Sequence, residues 1–434
     1  MSRVLVDSGI KWIGSLPNTW GITTVNKIFY RRKEVNDVEN PTVLSLARDG
    51  VKIRDISTNE GQLAESYDNY HKVYKDDLMI NPMDLISGAN CSLSEVEGVI
   101  SPAYINLAKK ENIFPKYYDY FFKYQYWVNA MFIHGKGVSF NNRWTMNWET
   151  MSSYKLPFPK FEEQKKIANY LDYQCKKIDE IIVSNNRQIQ LLNEYKKSII
   201  SSTVLRGLNK IKFYDIHDSW INKIPEGWDL TNIKSMFNFR KGLSITKDNL
   251  TESGIKVISY GQIHSKINTG TSLSNELYRY VSDSYLNQTN SLVEYGDFIF
   301  ADTSEDLDGC GNSVFIDNND KIFAGYHTII LHNNSNKKSK YFAYLFMTDE
   351  WRSQIRKNVF GVKLYSITQK ILKGTSILIP PQKEQNEIVE FLDKQCTGLD
   401  EVIKYRKQII EKLEEYKKSL IYEYVTGKKE VPVK

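Results

Sequence analysis

Four cysteines in 434 residues, Cys91, Cys175, Cys310 and Cys396, stand far apart with no Cys-x-x-Cys pair. That spacing suggests neither a zinc site nor a disulfide framework, and it is what a reduced cytoplasmic compartment leads one to expect. No run of about 18 apolar residues occurs and the start "MSRVLVDSG" has no apolar core, so export and membrane insertion are not expected. Catalytic signatures are absent too: there is no phosphate loop, no His-Glu-x-x-His and no glycine-rich dinucleotide fingerprint. "NPMD" at Asn81 departs from the Asn-Pro-Pro-aromatic motif of adenine methyltransferases at Met83 and Asp84 and reads as a strand-to-loop turn. The six histidines show no metal spacing; His134, His264 and His327 read as loop residues. No catalytic residue and no metal ligand is therefore assigned.

What is present is aromatic and mildly basic. Aromatic residues make up 13% of the chain, 28 of them tyrosine, and the net charge is +6, a balance compatible with a nucleic-acid partner without requiring one. With 41% hydrophobic residues, a chain of this length can bury more than one core.

The chain also says things twice. "EYKKS" occurs at Glu194 and again at Glu415, and the match extends without a gap from 159–204 to 380–425, with roughly 19 of about 46 positions identical. The beginnings of the halves match as well, "DSGIKWIGSLPNTW" from Asp7 against "DSWINKIPEGW" from Asp218. Between these anchors the halves diverge.

The repeated segment has the pattern of one long helix per copy. Ile167, Leu171, Gln174, Ile178, Ile181, Asn185, Gln188, Leu192, Tyr195 and Ile199 alternate spacings of four and three, and Ile388, Leu392, Gln395, Leu399, Val402, Arg406, Ile409, Leu413, Tyr416 and Leu420 follow the same rule. A 3.5-residue period sustained this long predicts a coiled-coil seam. Pro159 and Pro380-Pro381 suit the starts, and Gly207 and Gly427 the stops. The expected partner of each helix is the other copy, paired antiparallel within the chain.

The remainder of each half mixes β-rich runs such as "GIKVISY" and "TIILH" with helical stretches such as "PKYYDYFFKYQYWVNAMF", which predicts α+β heads. The expected fold class is thus α+β: two globular heads separated by two long antiparallel coiled-coil helices, with an internal pseudo-two-fold repeat. The expected segments are 1–157 and 211–378 for the heads and 158–210 and 379–434 for the helices.

"SGIKWIGSLPNTW", "LPFPKFEEQKKIANYLDYQCKKIDEII", "LLNEYKKSIISSTVLRG", "IPEGW", "LIPPQKEQNEIVEFLDKQCTGLDEVI" and "EEYKKSLIYEYVTGK", in that order, closely resemble the specificity subunit of type I restriction-modification systems. The resemblance implies two target recognition domains, each reading one block of a bipartite, asymmetric double-stranded DNA site. It further implies that the conserved helices recruit two methyltransferase subunits, which bring S-adenosylmethionine, and through them restriction subunits that use ATP and Mg. No cofactor is then expected in this chain.

Lysines and arginines are expected to hold phosphates, and bidentate or aromatic side chains to read bases. In the first head the candidates are Arg31, Arg32, Lys33, the turn from Asn81 to Ser87, Lys136, Ser139, Asn142 and Arg143. In the second they are Arg240, Lys241, Tyr260, Gln262, His264, Thr303, Ser304, Tyr326, His327, Lys363 and Tyr365. For partner docking they are Glu194, Tyr195, Lys196 and Lys197 with Glu415, Tyr416, Lys417 and Lys418. Two other readings stay open: a coiled-coil adaptor with protein-binding heads, and the specificity subunit of a related multisubunit type II system.

Overall fold

A computed structural model describes all residues except 1–2, 58–63, 84, 86–90, 137–143, 210–211, 219, 335–338, 362 and 433–434. Proline cannot donate a backbone hydrogen bond and is tolerated only where a helix begins. The two long helices accordingly start just beyond Pro159 and Pro381, spanning Phe161–Arg206 and Gln382–Val425. Each ends against a glycine in the left-handed region, Gly207 at φ +75 and Gly427 at φ +69.

The chain divides into two compact units, Met1–Asn186 with Lys407–Lys434, and Arg187–Arg406, so each unit holds one head and a portion of both long helices. In the first unit Lys417 donates to Asp179 at 2.6 and 2.7 Å, and in the second Lys196 donates to Asp400 at 2.7 and 2.6 Å. The lower-numbered partner in one helix meets the higher-numbered one in the other, so the helices pair antiparallel.

The seam departs from the predicted one at Ile181, Gln188 and Tyr195 in the first copy and at Val402 and Tyr416 in the second, all of which are exposed. Leu171, Ile178 and Asn185 are buried and Leu192 and Ile199 half-buried, as the period requires. The alternate positions sit one residue later, at Cys175, Ile182, Ile189 and Lys196, and in the second copy at Cys396, Ile403, Ile410 and Lys417. The predicted Ile181 and Tyr195 are 47% and 54% exposed, and their counterparts Val402 and Tyr416 are 42% and 56% exposed. Both registers obey a 3.5 period; cysteine, which packs as a small apolar side chain, and the aliphatic stem of lysine fill the true seam.

Each head is tied to the helices of its own unit by the same contacts. The indole of Trp20 donates to Glu163 at 2.9 Å and that of Trp228 to Glu384 at 2.8 Å. Tyr117 donates to the carbonyl of Val425 at 2.7 Å, and Tyr341 to that of Val204 at 2.8 Å. Tyr120 donates to Asp172 at 2.7 Å, and Tyr344 to Asp393 at 2.5 Å. Burial, then the nearby thiol or the carboxylate itself, pushes both of these tyrosines above the ordinary phenol range, so they stay neutral donors.

Both heads are built on a four-stranded antiparallel sheet. In the first head its order is Phe29–Arg31, Ile105–Lys109, Leu78–Ile80, Cys91–Leu93, and in the second Phe237–Lys241, Thr328–Asn333, Phe298–Ala301, Ser313–Phe315. Aromatic helices cover one face, Pro115–Trp127 in the first and Tyr341–Met347 with Asp349–Arg356 in the second. Thr348 divides the last two by capping the second, its hydroxyl accepting from the amide of Trp351. The second head adds a five-stranded sheet around the parallel pair Ile255–Ile258 and Ile322–Ala324. At the corresponding place the first head has two short ladders, Leu44–Ala47 with Gly50–Ile53 and His71–Val73 with Gly98–Ile100.

Candidate nucleic-acid interface and docking helices

In the first head the chain leaves its edge strand through Arg31, Arg32 and Lys33. Arg31 lies over the Trp148 ring at 5.7 Å, and burial lowers its pKa. Arg32 is turned inward: its Nε donates to the buried Asp77 at 2.9 Å, its Nη1 to Glu34 at 2.8 Å, and its guanidinium covers the Tyr74 ring at 4.4 Å. Lys33 is exposed. The Asn81 side chain closes a turn by accepting from the amide of Met83 at 2.9 Å, while its own carbonyl accepts from Tyr126 at 2.6 Å. Met146 donates to the carbonyl of Pro82, and Lys136 exchanges both backbone bonds with Thr145, so the turn and exposed Lys136 are neighbours. The structure thus gathers Arg31, Asn81 and Lys136 around the segment 144–148. Ser87, Ser139, Asn142 and Arg143 lie outside the described residues.

The second head presents a cleft of about 740 Å³ whose lining includes Lys241, Thr303, Tyr326, His327 and Lys370. Two glycines in its lining pack closely on their neighbours: a Cβ on Gly242 would stand 2.1 Å from the carbonyl of Gly325, and one on Gly325 2.1 Å from Oγ of Ser259. The Tyr260 ring packs edge-on against Tyr326 at 5.7 Å and His327 at 5.6 Å, forming an aromatic wall. Burial, then Tyr260, raises the pKa of Tyr326. His327 projects from a left-handed backbone, φ +54, with Nδ1 3.2 Å from Asp302. Tyr260 opens a short helix, Tyr260–Ile263, at whose start Ser259 and Gln262 form a capping box.

Several predicted contacts serve the fold instead. Arg240 reaches the fully buried Asp297 at 3.2 Å and His332 at 3.1 Å, repeating the Arg32–Asp77 arrangement. A buried carboxylate requires such a partner, so both arginines, expected as DNA contacts, also serve as internal counter-ions. His264 donates from Nε2 to the carbonyl of Thr303 at 2.8 Å and accepts at Nδ1 from Asn312 at 3.1 Å, which occupies both ring nitrogens. Ser304 is 2% exposed and donates to the carbonyl of Asp306. Gln262 spends its side-chain oxygen on the amide of Ser259. Tyr365 is half-buried in the short ladder Thr303–Ser304 with Tyr365–Ser366, and Lys363 beside it is exposed.

On the helices, "EYKKS" separates by residue. Lys196 and Lys417, expected among the docking residues, sit at seam positions and close the ion pairs above. Glu194, Tyr195 and Lys197, and Glu415, Tyr416 and Lys418, remain exposed. Lys418 lines a cleft of about 1000 Å³ in the first unit and Lys197 one of about 790 Å³ in the second. The exposed Ile181 and Val402 were read as seam and are added to the outward set; their recurrence at equivalent positions was visible in the sequence, their exposure was not. Among the described residues no group of three or more His, Cys, Asp or Glu could hold a metal, and no helix is long and apolar enough to cross a membrane.

Comparison with known proteins bears on the same elements. Residues 225–415 match the type I restriction modification DNA specificity domain. The chain is 22% identical over 368 residues to the type I restriction enzyme MjaVIII specificity subunit of Methanocaldococcus jannaschii, covering 82% of this chain and 81% of the relative. It is 22% identical over 359 residues to the StySPI specificity subunit of Salmonella potsdam, covering 80% and 69%. In fold it is similar to a chain from a study of complex assembly and conformational transition of the type I R-M system, with a TM-score of 0.70 at 11% identity over 95% of this chain and 99% of the other. The HsdS subunit from Thermoanaerobacter tengcongensis gives 0.51 at 12% identity over 98% and 100%. The matched domain covers most of the second copy of a plan whose head-to-helix contacts the first copy repeats, and along most of its length the chain is similar to specificity subunits of type I restriction-modification systems.

Proposed function

We propose that this chain is the DNA-reading subunit of a type I restriction-modification complex. In this reading the recognition domains are 1–157 and 211–378, each taking one block of a bipartite, asymmetric duplex site, and 158–210 and 379–434 are the docking helices. Two methyltransferase subunits bind the helices and bring S-adenosylmethionine; restriction subunits join through them with ATP and Mg. The chain itself supplies address rather than chemistry, and acts in the cytoplasm.

One observation carries the reading. The contacts that join head to helix recur residue for residue, whereas the groups the heads present differ: half-buried Arg31 and Asn81 with exposed Lys136 in one head, exposed Lys241 and His327 with half-buried Tyr326 in the other. Identical partners need identical docking surfaces, and an asymmetric duplex needs two different readers. The test is binding of the chain with its methyltransferase partners to duplexes across a salt series. Affinity for target-containing duplex that falls steeply as salt rises supports DNA reading. Failure to bind duplex at any salt favours the adaptor.

A further inference from the structure

The second head carries a feature that its fold does not use. Phe360 is 84% exposed, the most exposed large hydrophobic residue among those described, and Leu364 beyond it is 53% exposed. They belong to a hairpin rather than a loose end. The amide of Ser366 donates to the carbonyl of Phe360, Tyr365–Ser366 pairs antiparallel with Thr303–Ser304, and Ile367 donates to the carbonyl of Asp302 at 2.7 Å. Gly361 lets the hairpin turn tightly: at φ +151, a Cβ there would lie 2.0 Å from the carbonyl of Leu364. A ring held out from a hydrogen-bonded base keeps an apolar surface in water that ordinary packing would cover.

Its surroundings say what covers it. Ser366, which closes the hairpin, also lines the cleft of Lys241, Tyr326 and His327, and exposed Lys363 and Lys370 flank it in sequence. The one carboxylate among the described lining residues, Asp302, lies 3.2 Å from Nδ1 of His327. An apolar tip beside three exposed lysines, against a single carboxylate, and an aromatic wall suits a polyanion with apolar faces between its charges. A base-paired duplex has that chemistry; phenylalanine and leucine are the side chains with which proteins prise base steps apart.

We infer that Phe360 is a wedge that enters the base stack at one step of the site read by the second head, with Lys241, Lys363 and Lys370 holding the flanking phosphates. The inference rests on the heads being DNA readers, and its test separates the two. The chain is prepared with its methyltransferase partners as wild type, Phe360→Ala and Phe360→Leu, on target duplexes carrying a thymine at successive positions of the second block. Permanganate reports unstacked thymines and fluorescence anisotropy reports affinity. The wedge predicts one step, distinct from that of the modified adenine, that is reactive with wild type and Phe360→Leu and protected with Phe360→Ala. It also predicts an affinity for the target about tenfold lower in Phe360→Ala, the scale of one lost base–aromatic contact. Binding to unrelated duplex and co-purification of the methyltransferase stay unchanged. Equal reactivity and affinity in Phe360→Ala overturn the wedge, as does loss of the methyltransferase from that variant, which assigns Phe360 to a protein contact. Absence of target-selective binding by wild type overturns the DNA reading itself.

Discussion

Lys196 of the first long helix meets Asp400 of the second at 2.6 Å, and their counterparts 221 residues away, Lys417 and Asp179, meet at 2.6 Å. The duplication thus closes on itself, the lysine of each copy finding the aspartate of the other. Each aspartate is about half exposed, so solvent screens the pair and its worth is modest. A double-mutant cycle of Lys196→Ala and Asp400→Ala, read by urea unfolding, is expected to give a coupling of about 0.3–1 kcal/mol, with the same for Lys417 and Asp179. Zero coupling in both cycles contradicts the assignment of these lysines to helix pairing.

Two glycines in or beside the long helices predict opposite signs. Gly207 lies at φ +75 with its Cβ position 2.6 Å from Glu384 and 3.2 Å from Trp228, so Gly207→Ala is expected to destabilise by about 1–3 kcal/mol. Gly398, inside the second helix with open space around its Cβ position, is expected to stabilise by about 0.5–1 kcal/mol on substitution by Ala. Urea midpoints of the two variants check both signs together.

Burial, then the charges of Arg31 and Lys33, lower the pKa of His71 from 6.5. The unfolded chain therefore takes up this proton at higher pH than the folded chain. The stability contributed is complete above 6.5 and is lost as pH falls through 6.5 toward the folded value. His71→Gln is expected to flatten the dependence of the unfolding midpoint between about pH 7.5 and 5. In the wild type, DNA phosphates at Arg31 and Lys33 are expected to raise the pKa of His71, seen as a shifted imidazole titration by NMR. An unmoved titration in a DNA complex contradicts the placement of phosphate there.

Tyr195 and Tyr416 are exposed at equivalent places and touch no core, so their removal is expected to change stability by less than about 0.5 kcal/mol. Tyr195→Ala and Tyr416→Ala should each weaken one methyltransferase site and leave the other, giving complexes with one partner in native mass spectrometry at concentrations where wild type holds two. Full occupancy in both variants contradicts docking on this stripe.

Much of this was legible in the sequence, and the failures have physical causes. The helices, their prolines and terminal glycines, and their antiparallel pairing could be read because a long 3.5-residue period with fixed ends has few other meanings. The seam was misread at Ile181 and Tyr195 and their counterparts because they are as apolar as Ile182 and Ile189, and only packing decides which side of the stripe faces inward. The basic residues showed the same limit: Arg32 and Arg240 look like phosphate or base contacts until Asp77 and Asp297 are found buried beside them. Phe360 left no signal, since a phenylalanine before a glycine reads as an ordinary core residue at a turn.

The central claim is tested most directly by expressing the chain with its methyltransferase partner in a host lacking adenine methylation and sequencing that DNA for modified adenines. The account predicts one split motif, two short specific blocks around a fixed gap, and predicts that Lys241→Ala with Tyr326→Ala alters or loses only one block. No new methylation, from a complex that forms and binds S-adenosylmethionine, contradicts it.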